Sequence, residues 1–486
     1  MRTLKLKLLL LISFSTIISA FAANEGGYSI KIKVAGIKDS LCYLANYYGD
    51  KQYIKDSTKS DSQGRYVFEG KEKLPGGIYL FVLPSRKYFE ILIDKDQNFS
   101  METDTIDMVK NMKITGSPDN KLFYEYLQFV TKHGMEVDQL KAKMNGSTNK
   151  DTVKFYKDKI LKVDTLVDNY KTDFEKKYPA NLLSNVFKLA KEPKIPDAPK
   201  LPGGGTDSTF AYRYYKAHFF DNVDFSDERL LRTPVFHGKI SQYIKDLTLQ
   251  MPDSVNKEAD YLVEKSKANK EVFKYMVWWI TNTYETSNIM GMDAVFVHMA
   301  KTYYNKDQAY WVDSTNLFKI QDRARTLEPI LVGKPAPYLI LQDTSDQWRS
   351  MYDIKTKYTV LVFWDPDCGH CQKALPKLIK WYEQVKTYGI EVYAACTEVE
   401  EAKWKKYIRE KKLTWINVAD IHLHNNFRHE YDITSTPQIF VLDANKKIIA
   451  KRLDPETLAD FMKRKLKEDG VNLIYEDTPV KKDDKD

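Results

Sequence analysis

The sequence predicts a multidomain chain with an N-terminal all-β sandwich, a central all-α domain and a C-terminal α/β domain. Three observations predict it. Apolar and polar residues alternate in short runs from 28 to about 115. The apolar spacing then changes to a helical period after residue 118, and strand-like and helix-like runs alternate from 332 onward. Length alone suggests roughly two to four domains, and 43% hydrophobic content is enough for ordinary cores.

The first 22 residues have the layout of a cleavable secretory signal. Arg2, Lys5 and Lys7 form a basic head, Leu8 to Ile18 an apolar run, and Ala20-Phe21-Ala22 a small-residue cleavage site. The run is shorter than the ~18 residues that span a bilayer. A retained membrane helix is the other reading of the segment. No cysteine follows the cleavage point to carry a lipid anchor, and no later stretch is long and apolar enough to cross a membrane, so a soluble, exported mature protein is expected.

Residues 27–116 read as the β-sandwich domain. Tyr28, Ile30, Ile32 and Val34 alternate with polar neighbours, and clusters such as Asp61-Ser62-Gln63-Gly64 and Pro75-Gly76-Gly77 mark turns. Residues 118–328 read as a helical domain. Phe123, Tyr126, Leu127 and Val130 share one helix face, and a Pro/Gly-rich loop interrupts the pattern at 192–209. The aromatic stretch YMVWWITNTY (275–284) reads as a buried helix rather than a partner-binding patch. Residues 332–470 form the α/β domain. Its strands are expected at 359–364, 390–395, 438–442 and 447–450, with a final helix over 455–467 and a solvated charged tail over 471–486.

Composition excludes some functions. The formal charge of +8 falls to about +5 once the three basic residues of the signal are removed, so no nucleic-acid partner is expected. Four cysteines are too few for a disulfide scaffold in an exported chain of this length.

Two of the four lie in DPDCGHCQKALP (365–376). A structural zinc site needs four ligands, and Cys42 and Cys396 do not form a second pair. Haem attachment requires histidine after the second cysteine, and Gln372 stands there. A structural disulfide closing so short a loop stabilises by only about 2 kcal/mol. A reversible dithiol remains. Cys368 falls where a buried strand gives way to a helix, whose unpaired amides and dipole favour a thiolate.

VFWDPDCGHCQKALP, followed by TSTPQIFVLD, resembles the thioredoxin superfamily, in particular its exported TlpA/ResA-like branch. The opening segment VGKPAPYLIL (332–341) and an extra strand expected at 415–418 fit the same branch. The resemblance implies a thioredoxin fold closed by Phe363 and Trp364, an active pair Cys368 and Cys371, a kink at Pro376 and a cis-proline at Pro437 facing the pair. Trp364, Asp367, Gly369, His370 and Thr436 are the residues expected to modulate the site. It also implies a thiol-disulfide oxidoreductase that needs no cofactor beyond its redox-active disulfide. Cys368 attacks, Cys371 resolves, and Pro437 keeps metals out. The expected partners are a substrate protein bearing a disulfide or dithiol and a membrane-bound electron donor, in the periplasm of a Gram-negative bacterium. A homodimer is left open. The first 330 residues resemble domains of unknown function that precede such exported domains, with substrate docking or dimerisation as their expected role.

Two positions depart from the pattern. Val362 and Ala374 stand where relatives carry carboxylates that accept protons, leaving water, Asp365 or Asp367 to serve. The direction of electron flow stays open. The Gly-His pair, shared with disulfide isomerases, favours a couple nearer about −180 than −270 mV, whereas Asp365 and Asp367 oppose a thiolate. The branch favours a reductase, and the reading leans that way. The alternatives are an oxidase or isomerase, or a binding module whose redox domain maintains one partner. Cys396 and Cys42 read as buried and inert, with a third redox thiol the alternative for Cys396. His422, His424 and His429 lack a carboxylate pair and are not expected to bind metal, and Asp365 occupies the position where a peroxidatic site needs Thr or Ser.

Overall fold

The computed structural model describes residues 26–471. The expected signal segment and the charged tail from 472 lie outside the described residues. The chain divides into two units, one reaching residue 192 and including 220–223 and 228–238, the other made of 193–219, 224–227 and 239 onward.

The first unit contains eight strands: β1 (Tyr28–Ala35), β2 (Leu41–Tyr48), β3 (Lys51–Lys59), β4 (Arg65–Gly70), β5 (Gly77–Val82), β6 (Tyr88–Ile93), β7 (Asn98–Asp104) and β8 (Lys113–Thr115). They form two four-stranded sheets, ordered β4-β1-β7-β8 and β3-β2-β5-β6. Ile30, Ile32 and Val34 point inward while Lys31 and Lys33 are exposed, as the alternation predicts. Tyr66 and Phe68 of one sheet meet Phe81 of the other edge to face, at 5.2 and 6.1 Å between ring centres. That contact makes the pair a sandwich.

Helix α1 (Pro118–Asn145) begins with Ser117 as N-cap and Pro118 in its first turn. The Asn120 amide bonds both backbone groups of Leu92 in β6, at 2.8 and 2.7 Å, and so ties the helix to the sandwich. Helix α2 (Lys150–Lys177) packs on α1 through Phe129 and Tyr170, stacked at 4.4 Å, and α3 (Leu182–Ala190) adds Phe187 against Tyr126 at 4.6 Å.

Helices α4 (Phe210–Ala217), α5 (Phe236–Lys245), α6 (Pro252–Ser266), α7 (Lys270–Glu285), α8 (Asp293–Tyr303) and α9 (Ser314–Leu327) follow. Tyr275, Met276, Val277, Trp279 and Ile280 of α7 are buried, so the aromatic stretch is a core helix.

The second unit ends in β9 (Ile340–Asp343), β10 (Trp348–Ser350), β11 (Tyr358–Trp364), α10 (Gly369–Val385), β12 (Ile390–Cys396), α11 (Glu401–Lys411), β13 (Ile416–Ala419), α12 (Phe427–Glu430), β14 (Gln438–Leu442), β15 (Ile448–Lys451) and α13 (Pro455–Glu468). Seven strands pair in the order β10-β9-β13-β12-β11-β14-β15. β11, β12 and β13 run parallel, and β14 runs antiparallel to β11. This is the thioredoxin fold with an added edge.

Alternate residues of β11 face opposite cores. Val360, Val362 and Trp364 pack with Leu375 and Leu378 of α10, Trp404 of α11, and Leu458 and Met462 of α13. Leu361 and Phe363 pack on the other side with Phe296, Val297 and Ala300 of α8 and Ala324 and Leu327 of α9. At about 1.5–3 kcal/mol for each large apolar side chain buried, that helical layer contributes substantially to the sheet's stability. The helices expected as one domain over 118–328 therefore divide. α1–α3 fall in the unit of the sandwich, and α8 and α9 share the core of the C-terminal sheet. Helical periodicity shows which face is apolar, not which surface covers it.

Candidate active site

β11 is buried along its whole length and ends at Trp364, which is fully buried. The chain then turns through Asp365–Asp367, where the Asp367 amide donates to Asp365 Oδ1 at 2.8 Å. Cys368 is the N-cap of α10, with extended backbone (φ −74°, ψ 117°), and its carbonyl accepts from the Gln372 amide at 3.0 Å. Its side chain is half-buried. Cys371, one turn further, is 0% exposed. One sulfur is accessible and its partner is not.

The Thr436–Pro437 peptide bond is cis, and its loop faces the pair. The Cys368 thiol donates to the Thr436 carbonyl at 3.1 Å, and the Asp365 amide donates to Cys371 Sγ at 3.4 Å. Burial opposes ionisation of Cys368. The Thr436 side chain and the amides of Cys371 and His370 outweigh it and hold that thiol below the usual cysteine value. Burial pushes Cys371 up to about 11, with the Cys368 charge adding to the effect. The two thiols thus differ in both exposure and acidity.

His370 is exposed and lines a groove of about 770 Å³ that also takes in Lys373, Lys377, Thr436, Pro437 and Arg452. Gly369 has a negative φ, and nothing lies within 4 Å of where its Cβ would stand, so its backbone does not require glycine. Trp364 packs behind the pair with its ring 5.1 Å from that of Tyr407.

The carboxylates expected to oppose a thiolate are both engaged. Asp367 pairs with Lys403 at 2.6 Å, and Asp365 accepts from the Thr397 hydroxyl at 3.2 Å. Their opposition to the thiolate is correspondingly weaker than the sequence suggests. Lys403 also reaches Glu398 at 3.2 Å and escaped the sequence reading because it lies 36 residues from Asp367.

Val362 faces the core on the Cys371 side and Ala374 lines the groove, so neither offers a proton acceptor. Cys396 ends β12 opposite Trp364, fully buried, and burial pushes its thiol well above the usual range. Cys42 is buried in the sandwich, and burial raises its thiol too. His422 and His424 have ring centres 5.6 Å apart, and His429 lies in α12. Among the described residues no three His, Cys, Asp or Glu side chains are grouped to hold a metal.

A dithiol at a helix N-terminus, on this sheet and facing a cis-proline, defines a thioredoxin-like thiol-disulfide oxidoreductase. Residues 332–451 match the AhpC/TSA family, and this part of the chain is similar to the thiol-disulfide oxidoreductases named ResA. The thiol-disulfide oxidoreductase ResA of Bacillus cereus is 25% identical over 130 residues, covering 27% of this chain and 74% of that protein. A domain of a possible thiol-disulfide isomerase from Cytophaga hutchinsonii is 46% identical, covering 29% of this chain and 98% of that domain, with a TM-score of 0.28. A thioredoxin-like protein from Bacteroides caccae is 17% identical, covering 56% of this chain and 98% of that one, with a TM-score of 0.43. Residues 28–123 and 141–328 match two domains of unknown function, DUF4369 and DUF5106.

Proposed function

We propose that the chain reduces disulfides of protein substrates in the periplasm through Cys368 and Cys371, with an extended substrate segment lying in the groove beside Pro437. The Cys368 thiolate attacks one substrate sulfur. A mixed disulfide forms, and the second substrate sulfur leaves as a thiolate that takes up a proton. Cys371 then gives its proton to water and attacks Cys368 Sγ. The Cys368–Cys371 disulfide forms, the first substrate sulfur departs, and two electrons have passed to the substrate. A membrane-bound donor of two electrons and two protons would restore the dithiol. The observation that carries this reading is the asymmetry of the pair, one thiol accessible and held low, the other buried and held high.

Cys371 near 11 stays protonated at neutral pH, so only one thiolate stabilises the reduced form. That supports the reducing direction. Among the described residues no helix is long and apolar enough to cross a membrane, and export to the periplasm rests on the signal-like first 22 residues. The lowered Cys368 thiol favours a second reading, oxidase or isomerase work, because stabilising the thiolate makes a couple more oxidising. Titrating the pair in glutathione or dithiothreitol buffers, with thiol alkylation and mass readout, separates the two. A midpoint at or below about −250 mV supports the reductase, and one near −180 mV or above supports the alternative. A pair that never cycles refutes both and leaves a binding module.

A further inference from the structure

We propose that Arg323, on α9 of the helical region, is a positioning residue for the redox site, acting through Asp432 on the loop that faces Cys368. Asp432 is 6% exposed and has a left-handed backbone (φ 53°), a conformation with a cost for any residue but glycine. Its carboxylate is held by the Arg323 guanidinium and, at 3.7 Å, by Arg452. The chain after it is fixed in sequence. The Ile433 amide donates to the Arg428 carbonyl at 2.7 Å, the Thr434 amide donates to the Asp432 carbonyl at 3.0 Å, and the Thr436 carbonyl meets Cys368 Sγ at 3.1 Å. Asp432, Thr434, Thr436, Pro437 and Arg452 all line the groove.

A buried carboxylate must keep a cation or move toward water. Removing Arg323 leaves Asp432 with only Arg452 in ion-pair reach, 42% exposed on its side chain and farther away. The loop then loses its anchor, and the groove wall shifts. A substrate that uses the wall suffers most, while a small disulfide feels the shift only through the Thr436 contact with Cys368. The helical region thereby sets how well polypeptides are held, without contacting them.

This rests on the reading that an extended polypeptide occupies the groove. The test compares full-length wild type, Arg323→Ala and Arg323→Lys in turnover driven by dithiothreitol. The two substrates are glutathione disulfide and an unstructured peptide carrying one cysteine as its glutathione mixed disulfide. The expected result for R323A is a KM for the peptide raised about tenfold, as sub-ångström misplacement of a binding wall allows. Its kcat/KM for glutathione disulfide should stay within about twofold of wild type, and R323K should recover most of the loss. Unchanged peptide kinetics in R323A overturn the proposal. So does a parallel loss on both substrates, which is what general destabilisation produces. Should R323A fail to fold, Arg323→Gln faces the same two-substrate comparison, with the same outcomes deciding. A wild type that turns over the peptide no better than glutathione disulfide refutes the groove reading itself, a result that no Arg323 variant is needed to see.

Discussion

Lys451 closes β15 with 2% of its side chain exposed, and its ammonium pairs with Asp293, 6% exposed, in the first turn of α8. The same ammonium donates to the Ile330 carbonyl at 2.8 Å. Burial lowers the lysine's pKa, and Asp293 works against that shift. Replacing Lys451 by Met keeps the stem and deletes the charge, so a buried carboxylate and a carbonyl both lose their partner. Breaking one side of a buried pair costs about 3–5 kcal/mol, and the orphaned carbonyl adds about 1 kcal/mol. For a unit of this size each kcal/mol corresponds to about 2–4 °C, so calorimetry should show Tm falling by about 8–24 °C. The double variant Lys451→Met with Asp293→Asn should recover most of that, because the stranded charge is gone. Urea titration of the same proteins gives the loss independently. A single-variant loss under about 1 kcal/mol, or a double variant no more stable than K451M, would show that the pair does not hold the helical layer to the sheet.

Alkylation of the reduced protein across pH should label Cys368 with a midpoint below that of an ordinary cysteine and Cys371 only as pH approaches about 11. Because the folded Cys368 pKa is depressed, its thiolate contributes stability to the reduced form above the unfolded pKa. That contribution fades as pH falls through the folded pKa, which a pH series of urea midpoints checks against Cys368→Ala. Cys371→Ser should accumulate a mixed disulfide with substrate that wild type resolves, visible as a mass adduct on Cys368. Lys403→Ala frees the Asp367 carboxylate beside the pair, so the Cys368 pKa should rise and the midpoint potential become more negative. Truncation before 332 strips α8 and α9 from Leu361, Phe363, Tyr393 and Phe440, and the fragment should bind a hydrophobic dye where the full-length protein does not.

The dithiol was legible because its signals are local. A buried strand, a CxxC at a helix start and a Thr-Pro before another strand all lie in short segments, and the strands found there match expectation to within a residue or two. The cis-proline, expected from resemblance, stands where it was placed. What escaped is held by contacts between distant segments. Arg323 and Asp432 lie 109 residues apart, and an arginine on a polar helix face looks like any other solvated charge. Lys403 looked the same. The apolar stripes of α8 and α9 were legible as helix faces, but nothing in their spacing says that a sheet ending more than a hundred residues later covers them.

That covering has a consequence in time. Synthesis runs from the N-terminus, so Phe296, Val297 and Leu327 are made well before β15, the last strand they share a core with, is complete at Lys451. At ~5–20 residues per second the apolar faces of α8 and α9 stay bare for about 6 to 31 s. During that interval the growing chain offers a sticky surface with no partner of its own yet made. A holding chaperone or an export machinery that keeps the chain unfolded has its clearest target there.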